Sequence, residues 1–203
     1  MSKYVLNELL TNGLELVYAA HHQGAAQADA NLRSSTFPEL RATLEAGVKK
    51  NRDQARRLEK VFKLLGLTPK GTPDQAMQGI IDTNNTLIAQ TSNPTERDLI
   101  NIASAQHAAH FYLAAYGPLR HYAKELGRSE AASLLQKTLD ETGEINKTFT
   151  DLSVKVIKHS NHHTRSKSEG GLLRTTIPAF FAVGLVGTAI TLASKSAPSP
   201  NAD

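Results

Sequence analysis

The sequence predicts an all-α protein: a four-helix bundle with a short crossover helix, followed by a C-terminal hydrophobic helix. Three observations predict this fold class. Helix-start signals recur along the chain, the apolar residues between them repeat with a helical period and nowhere with period two, and residues 175–194 carry no charge. With 203 residues, the chain can form one domain of ordinary size and an appendage.

Three segments have the pattern of a helix start: TFPE at 36–39, TPDQ at 72–75 and NPTE at 93–96. In each, a threonine or asparagine can cap free backbone amides, and a Glu or Gln follows three residues later. A proline stands where its missing N–H costs nothing. Gly66 and Gly127 mark helix ends, because glycine readily takes the left-handed conformation that follows a last turn.

These signals bound five helices. We expect long helices over about 3–33, 38–65, 94–126 and 129–158, and a short helix over about 74–90. Short turns between long helices are typical of a four-helix bundle, with the short helix as a crossover. We assign this bundle to residues 1–157.

The composition changes after the last predicted helix. Residues 158–173 are polar and contain glycines near their end, which favours a linker. Residues 174–195 then form a hydrophobic helix, which at about 1.5 Å per residue is long enough to cross a bilayer, and 196–203 form a short tail. The strongly apolar side chains of this helix are Ile177, Phe180, Phe181, Val183, Leu185, Val186, Ile190 and Leu192.

The charges around this segment favour a membrane anchor with the bundle on the cytoplasmic side. Several basic residues precede the charge-free stretch at 175–194 and only Lys195 follows it. The positive-inside bias therefore places the bundle on the cytoplasmic side. Gly184, Gly187 and Thr188 are small and would let two such helices approach closely. Two alternatives are a C-terminal helix that packs on the bundle or in an oligomer, and a protein that is simply cytoplasmic.

Composition excludes several classes of function. The absence of cysteine excludes disulfides and thiolate chemistry. The net charge is only +4 and aromatic residues are only 5%, so nucleic acid is not an expected partner. The sequence contains no phosphate-binding glycine loop, nucleophile elbow or His-Glu-x-x-His motif, and hydrolase and nucleotide-binding functions therefore have no support.

Histidines suggest a small metal site. His107 and His110 are three residues apart and share a helix face, so both could contact one ion together with His21. Imidazole nitrogens suit zinc, copper or nickel. Gln54, Asp53, Asp140 and Glu141 are candidates for additional ligands. The alternative is that these histidines are hydrogen-bonded core or surface residues.

The second predicted helix is strongly basic, and we expect a solvated face or a contact surface for a protein partner. If Lys49 or Arg52 turned inward, it would need a buried acidic partner such as Asp140 or Glu141. The cations on this helix are Arg41, Lys49, Lys50, Arg52, Arg56, Arg57, Lys60 and Lys63.

Four segments resemble successive blocks of the YciF-type (YciE/YciF) ferritin-like family of bacterial stress-induced proteins. They are LRATLEAGVKKNRDQARRLEKVFKLLG at 40–66, AMQGII at 76–81, AQHAAHFYLAAYGPLRHYAKELG at 105–127 and AASLLQKTLDET at 131–142. The resemblance runs from about residue 5 to 155. It implies a ferritin-like four-helix bundle that pairs into a homodimer.

The resemblance also implies a two-metal site that this sequence has largely lost. Ferritin-like proteins that do chemistry hold iron or manganese with inward glutamates and Glu-x-x-His pairs. At positions of the family's acidic or ligand residues, this chain has other residues on all four helices: His21, Lys49, Lys50, Arg52, Ala109, Tyr112, Thr142 and Asn146. Cations near the centre would repel a dication.

We therefore expect a degenerate metal site, no cofactor and no enzymatic activity. The expected function is that of a membrane-tethered bundle with a structural or protein-interaction role, in envelope stress. The alternative is a divergent ferritin-like protein that uses a histidine-containing site with iron, manganese or zinc for storage or redox chemistry.

Overall fold

The structure, a computed structural model, describes residues 2–168, with side chains described through residue 161. Within that range it has five helices and no strand. The helices are α1 (Lys3–Ser34), α2 (Pro38–Leu64), α3 (Gln75–Ala89), α4 (Pro94–Glu125) and α5 (Ser129–Ser168). The predicted set of four long helices and one short helix is confirmed.

The four long helices surround a common interior. α1 packs against α2 and α4, and α5 packs against the same two helices, while α3 lies against α1 and α4. The apolar periods of the helices face inward and form two clusters, one around Leu14, Phe62 and Tyr116 and the other around Leu40 and Phe149. Burial of each large apolar side chain stabilises the fold by roughly 1.5–3 kcal/mol.

The three predicted helix starts differ in how their backbone amides are bonded. Asn93 caps α4 as predicted, accepting hydrogen bonds from the backbone amides of Thr95 and Glu96. At the start of α3 the cap is Asp74, not Thr72, and its carboxylate accepts from the Met77 amide at 2.8 Å. The aspartate was the better candidate because Asp ranks above Thr as an N-cap.

The turn before α2 is held by a residue from a distant helix. The N-cap residue Phe37 makes no side-chain cap bond, and Thr36 does not cap the helix. Instead, the buried carboxylate of Asp98 in α4 accepts hydrogen bonds from the Thr36 amide at 2.7 Å, the Thr36 hydroxyl at 2.8 Å and the Phe37 amide at 2.9 Å. The turn between α1 and α2 is thereby attached to α4.

Both predicted helix ends are confirmed. Gly66 and Gly127 have φ angles of 72° and 73°, in the left-handed region that favours glycine. α4 continues through Pro118 as one helix to Glu125.

α5 ends later than the sequence predicted. It continues to Ser168, so residues 158–168, which we assigned to a polar linker, are helical. The loss of apolar periodicity was a poor boundary signal, because polar residues propagate a helix when no glycine or proline intervenes. The first glycine after the predicted end is Gly170.

The predicted membrane anchor, residues 174–195, lies outside the described residues. This includes its apolar side chains and the small residues expected to mediate helix pairing. Among residues 2–168, no helix is both long enough and apolar enough to cross a bilayer.

Candidate functional site

A cluster of hydrogen-bonded side chains occupies the interior where α1, α2 and α4 meet. It consists of His21 from α1, Asn51 from α2 and Tyr112 and Tyr116 from α4, and we call it the His21 cluster. His21 is only 1% exposed and Tyr116 is fully buried. In this apolar setting each polar atom needs a partner.

Both ring nitrogens of His21 are engaged. Nδ1 bonds to the Asn51 side-chain oxygen, and Nε2 lies 2.7 Å from the Tyr116 hydroxyl. The Asn51 amide nitrogen donates to the His21 backbone carbonyl at 3.0 Å, which leaves the Asn51 oxygen to accept. We therefore assign the proton to Nδ1, and the Tyr116 O–H donates to Nε2.

Burial keeps this imidazole neutral. Removal from water is the largest cause that lowers the pKa of His21, which is about 4; the bond to Asn51 partly opposes this, and the neighbouring His22 and Arg57 side chains lower the pKa further. Burial also raises the pKa of the Tyr116 hydroxyl well above its ordinary value. At neutral pH a neutral histidine therefore accepts a hydrogen bond from a protonated tyrosine.

Tyr112 closes the cluster on one side. Its ring stacks on the His21 ring, with centroids 4.5 Å apart and planes at 15°. Its hydroxyl donates to the Ala20 carbonyl at 3.0 Å. A Cβ at Gly24 would lie 3.1 Å from this hydroxyl oxygen, so a glycine at that position leaves room for the tyrosine.

A salt bridge between α2 and α5 lies beside this cluster. Arg57 donates from Nη2 to Glu141 Oε1 at 2.8 Å and from Nη1 to Oε2 at 2.9 Å, so the pair is bidentate. Both side chains are mostly buried, at 13% and 19% exposure. Thr138 accepts a further bond from Arg57, and Gln54 donates to Glu141 at 3.2 Å.

The positive charge of Arg57 balances the negative charge of the Glu141 carboxylate. Burial alone would raise the pKa of Glu141, but hydrogen bonds from Arg57 and Gln54 and the nearby positive charges outweigh it, and the pKa is lowered. The carboxylate is therefore ionised and is held by a cation of the protein itself.

The sequence analysis considered such a pair only for Lys49 or Arg52, and the cation that turns inward is Arg57. Lys49 and Arg52 are exposed, and Arg52 lies 3.8 Å from Asp29 at the surface. Arg57 turns inward because it lies three residues after the buried Gln54 and four before the buried Val61 on one helix face. That spacing can be read from the sequence, but the helix carries so many cations that the inward position of Arg57 was not recognised.

The structure does not bring the three candidate metal ligands together. His21 is buried in the cluster, whereas the side chains of His107 and His110 are exposed on α4. Of the candidate additional ligands, Asp53 pairs with Arg56 at the surface and Asp140 accepts from Gln136.

The residues present do not fit a two-metal site. Iron and manganese prefer several carboxylate oxygens, and Arg57 and Gln54 already occupy the carboxylate of Glu141. His21 has no free lone pair, because Tyr116 donates to Nε2. Within residues 2–161, no three or more His, Asp or Glu side chains are grouped so that they could hold a metal ion.

Sequence reasoning missed two members of the His21 cluster, Asn51 and Tyr116. Both have a spacing signal. Asn51 lies three residues after Val48 and three before Gln54, which are buried, and Tyr116 lies four residues after Tyr112. A polar or aromatic residue on an inward face needs a buried partner, and His21 is the one available to both.

The hydrogen bond to His21 predicts the effect of Tyr116→Phe. The variant leaves the Nε2 lone pair buried without a donor, so we expect a loss of about 1–3 kcal/mol in the free energy of unfolding, measured by urea denaturation. Tyr122→Phe is the matched control, because Tyr122 is on the same helix, is half-buried and makes no hydrogen bond within residues 2–161. Equal stabilities of the two variants would contradict the assigned bond.

The lowered pKa of His21 predicts a loss of stability in acid. Between pH 6.5 and about 4 the unfolded chain binds a proton at this residue and the folded chain does not. Stability is therefore fully present above pH 6.5 and decreases as pH falls toward 4, by roughly 2–3 kcal/mol at pH 4.5. In His21→Gln this part of the pH dependence should vanish, whereas the exposed-site control His107→Gln should keep it. An unchanged pH profile in His21→Gln would refute the prediction.

The chain is similar to known proteins over most of its length. The family described as "Domain of unknown function (DUF892)" matches residues 5–161. Protein YciF of Escherichia coli K12 is 28% identical over 155 residues, which are 76% of this chain and 93% of that protein.

Solved structures agree with this similarity. The E. coli stress protein YciF superposes with a TM-score of 0.72 at 28% identity, over 75% of this chain and 97% of that one. YcfI from Rhodopseudomonas palustris, described as a candidate structural protein, has a TM-score of 0.70 at 28% identity, over 71% and 92%. A Xanthomonas campestris protein shares only the fold, with a TM-score of 0.60 at 17% identity, over 79% and 98%. Because the family match spans well over half of the chain, the protein belongs to the DUF892 family and is a relative of YciF, as the resemblance predicted.

Proposed function

We propose that this protein is a non-enzymatic structural bundle that acts through contacts with other molecules, in the stress response of a bacterial envelope. One observation carries the proposal: both nitrogens of His21 are used in hydrogen bonds inside the bundle. A residue at a position that the resemblance assigns to a metal ligand therefore serves packing and leaves nothing for chemistry.

The salt bridge between Arg57 and Glu141 supports the same conclusion. Glu141 is a carboxylate beside the interior, and its partner is Arg57 at 2.8 Å. Substrate-activating carboxylates need a free oxygen or a raised pKa. Here both oxygens accept hydrogen bonds and the pKa is lowered.

The relatives support the structural role and the link to stress. One is described as a candidate structural protein and another as a stress protein. Neither description names a substrate or a cofactor.

The basic groove between α2 and α5 is the surface that we propose for a protein partner with acidic character. It has a volume of about 660 Å³. Its two acids are already paired, Asp53 with Arg56 and Glu141 with Arg57. Three cations on its walls form no salt bridge within residues 2–161, namely Lys49, Lys60 and Lys137, and a fourth, Lys50, adds its positive charge near Glu141.

An apolar stripe on α1 supports the homodimer. Val5, Leu9 and Leu16 are exposed at helical spacing on one face, beside the exposed Tyr4. A row of apolar side chains of this kind favours a second apolar surface over water.

Membrane tethering by residues 174–195 completes the proposal. Its support comes from the sequence: a charge-free stretch at 175–194 and basic residues that precede it. The bundle would then act at the cytoplasmic face of the membrane.

Metal analysis tests the non-enzymatic role. Full-length protein, purified in detergent without a histidine tag, should contain far less than one iron or manganese per chain, and a chelator should leave its melting temperature unchanged. Stoichiometric iron or manganese would contradict the proposal and favour the metal-storage or redox alternative.

A pair of variants identifies the source of any zinc, copper or nickel that is found. Metal that disappears in the double variant His107→Gln/His110→Gln comes from the exposed imidazoles on α4 and leaves the proposal intact. Metal that disappears in His21→Gln, with the surface histidines intact, would contradict the proposal.

Cell fractionation tests the tether. The full chain should be found in the membrane fraction, and a chain lacking residues 172–203 should not. Leu185→Arg/Val186→Arg keeps the length and should weaken insertion, because an arginine near a bilayer centre costs about 2.5–3.5 kcal/mol. Ala202→Arg, in the tail, is the control and should remain in the membrane fraction. A full-length protein found only in the soluble fraction would refute the tether.

A further inference from the structure

We propose that the bundle binds a small, uncharged single-ring molecule with a hydroxyl or N–H group, in a cavity between its helices. The cavity lies beside the His21 cluster and has a volume of about 120 Å³. An apolar cavity of about 150 Å³ is known to hold benzene, so the space suits one ring and excludes two.

The lining selects against charge. All five helices contribute to it, and among the described residues none of the lining side chains is charged. Small residues that line the space include Ala28, Gly47 and Ala109, and larger apolar side chains such as Phe149 also line it. An ion would lose its hydration there without gaining a partner.

Ser104 supplies a polar group that faces this space. Its side chain lines the cavity, the residue is only 6% exposed, and it makes no hydrogen bond within the described part of the chain. A hydroxyl that borders the cavity and has no partner in the described part of the chain is available to hydrogen-bond a molecule in that space.

Gln54 supplies a second group. The residue is 4% exposed and lines the cavity, and its amide nitrogen is bound to Glu141. The amide oxygen accepts no hydrogen bond from residues 2–161. A ligand O–H or N–H can donate to this oxygen, and the Ser104 hydroxyl can bond to the same ligand group.

The cavity is not a consequence of the lost metal ligands alone. Ala109 and Thr142 line it at positions where the resemblance expects acids, but Gly47 and Ser104 line it as well. A Cβ at Gly47 would meet no atom within 4 Å, so the space reaches this helix without a side chain to fill it. Tightly packed interiors leave few voids of this size, which favours a binding site over a packing defect.

Phenol and benzene are the probes. Added at millimolar concentration to the full-length protein, phenol should raise the melting temperature and give saturable binding by calorimetry, and benzene should bind more weakly. Ser104→Ala should weaken phenol binding about fivefold, the ratio expected for one neutral hydrogen bond, and should leave benzene binding unchanged.

Cavity filling tests the location. Gly47→Leu places a side chain in the cavity and should abolish the binding of both probes. Gly143→Leu is the matched control, because Gly143 is exposed on α5 and does not line the cavity, and it should bind phenol like the unaltered chain.

Three results would overturn the proposal: no saturable binding of either probe, equal phenol affinity in the unaltered chain and in Ser104→Ala, or undiminished binding in a folded Gly47→Leu. If Gly47→Leu does not fold, the affinities of phenol and benzene for Ser104→Ala, compared with those for the unaltered chain, decide alone whether the cavity binds the probes. The outcome is independent of the structural role proposed above, because a metal-free bundle can bind or fail to bind a neutral ring.

Discussion

A single imidazole shielded from water determines what the interior of this bundle can do. His21 touches side chains from two other helices, and its two nitrogens demand one acceptor and one donor. Asn51 and Tyr116 meet that demand only while the ring is neutral and has its proton on Nδ1. Protonation of Nε2 would reverse the Tyr116 bond and place a charge in an interior shielded from water, and a metal ion at Nε2 would displace the Tyr116 hydroxyl, so burial and this contact oppose both reactions.

The salt bridge beside this cluster follows a different rule. A buried ion pair adds little net stability over an apolar pair of the same shape, but removal of one partner leaves a costly unpaired charge. Arg57 and Glu141 are therefore interdependent. Thr138 accepts a further hydrogen bond from the Arg57 guanidinium, and Gln54 donates one to the Glu141 carboxylate. The ring nitrogens of His21 and the charged groups of this pair therefore have partners inside the bundle, whereas the Ser104 hydroxyl and the Gln54 amide oxygen have none within residues 2–161.

Local signals predicted the elements well, and only some of the errors came from tertiary contacts. The number, order and approximate bounds of the helices followed from prolines, glycines and apolar spacing, which act within one or two turns. The contact of Asp98 with the turn before α2 was missed because it depends on another helix, whereas the length of α5, the Asp74 cap and the inward Arg57 had local signals in the sequence. The apolar spacing of α4 already indicated that His107 and His110 point outward. The buried face of this helix includes Ile102, Ala109 and Tyr112, and neither histidine lies on it.

The attachment of the α1–α2 turn to α4 has a consequence for how the chain folds. Asp98 lies about sixty residues after the turn that it holds, so an α1–α2 hairpin alone leaves the Thr36 and Phe37 amides to water. The bonds to Asp98 can form only when α4 packs against the hairpin. Contacts of such long sequence separation form late and couple distant segments, so this bundle should unfold as a single cooperative unit and not helix pair by helix pair.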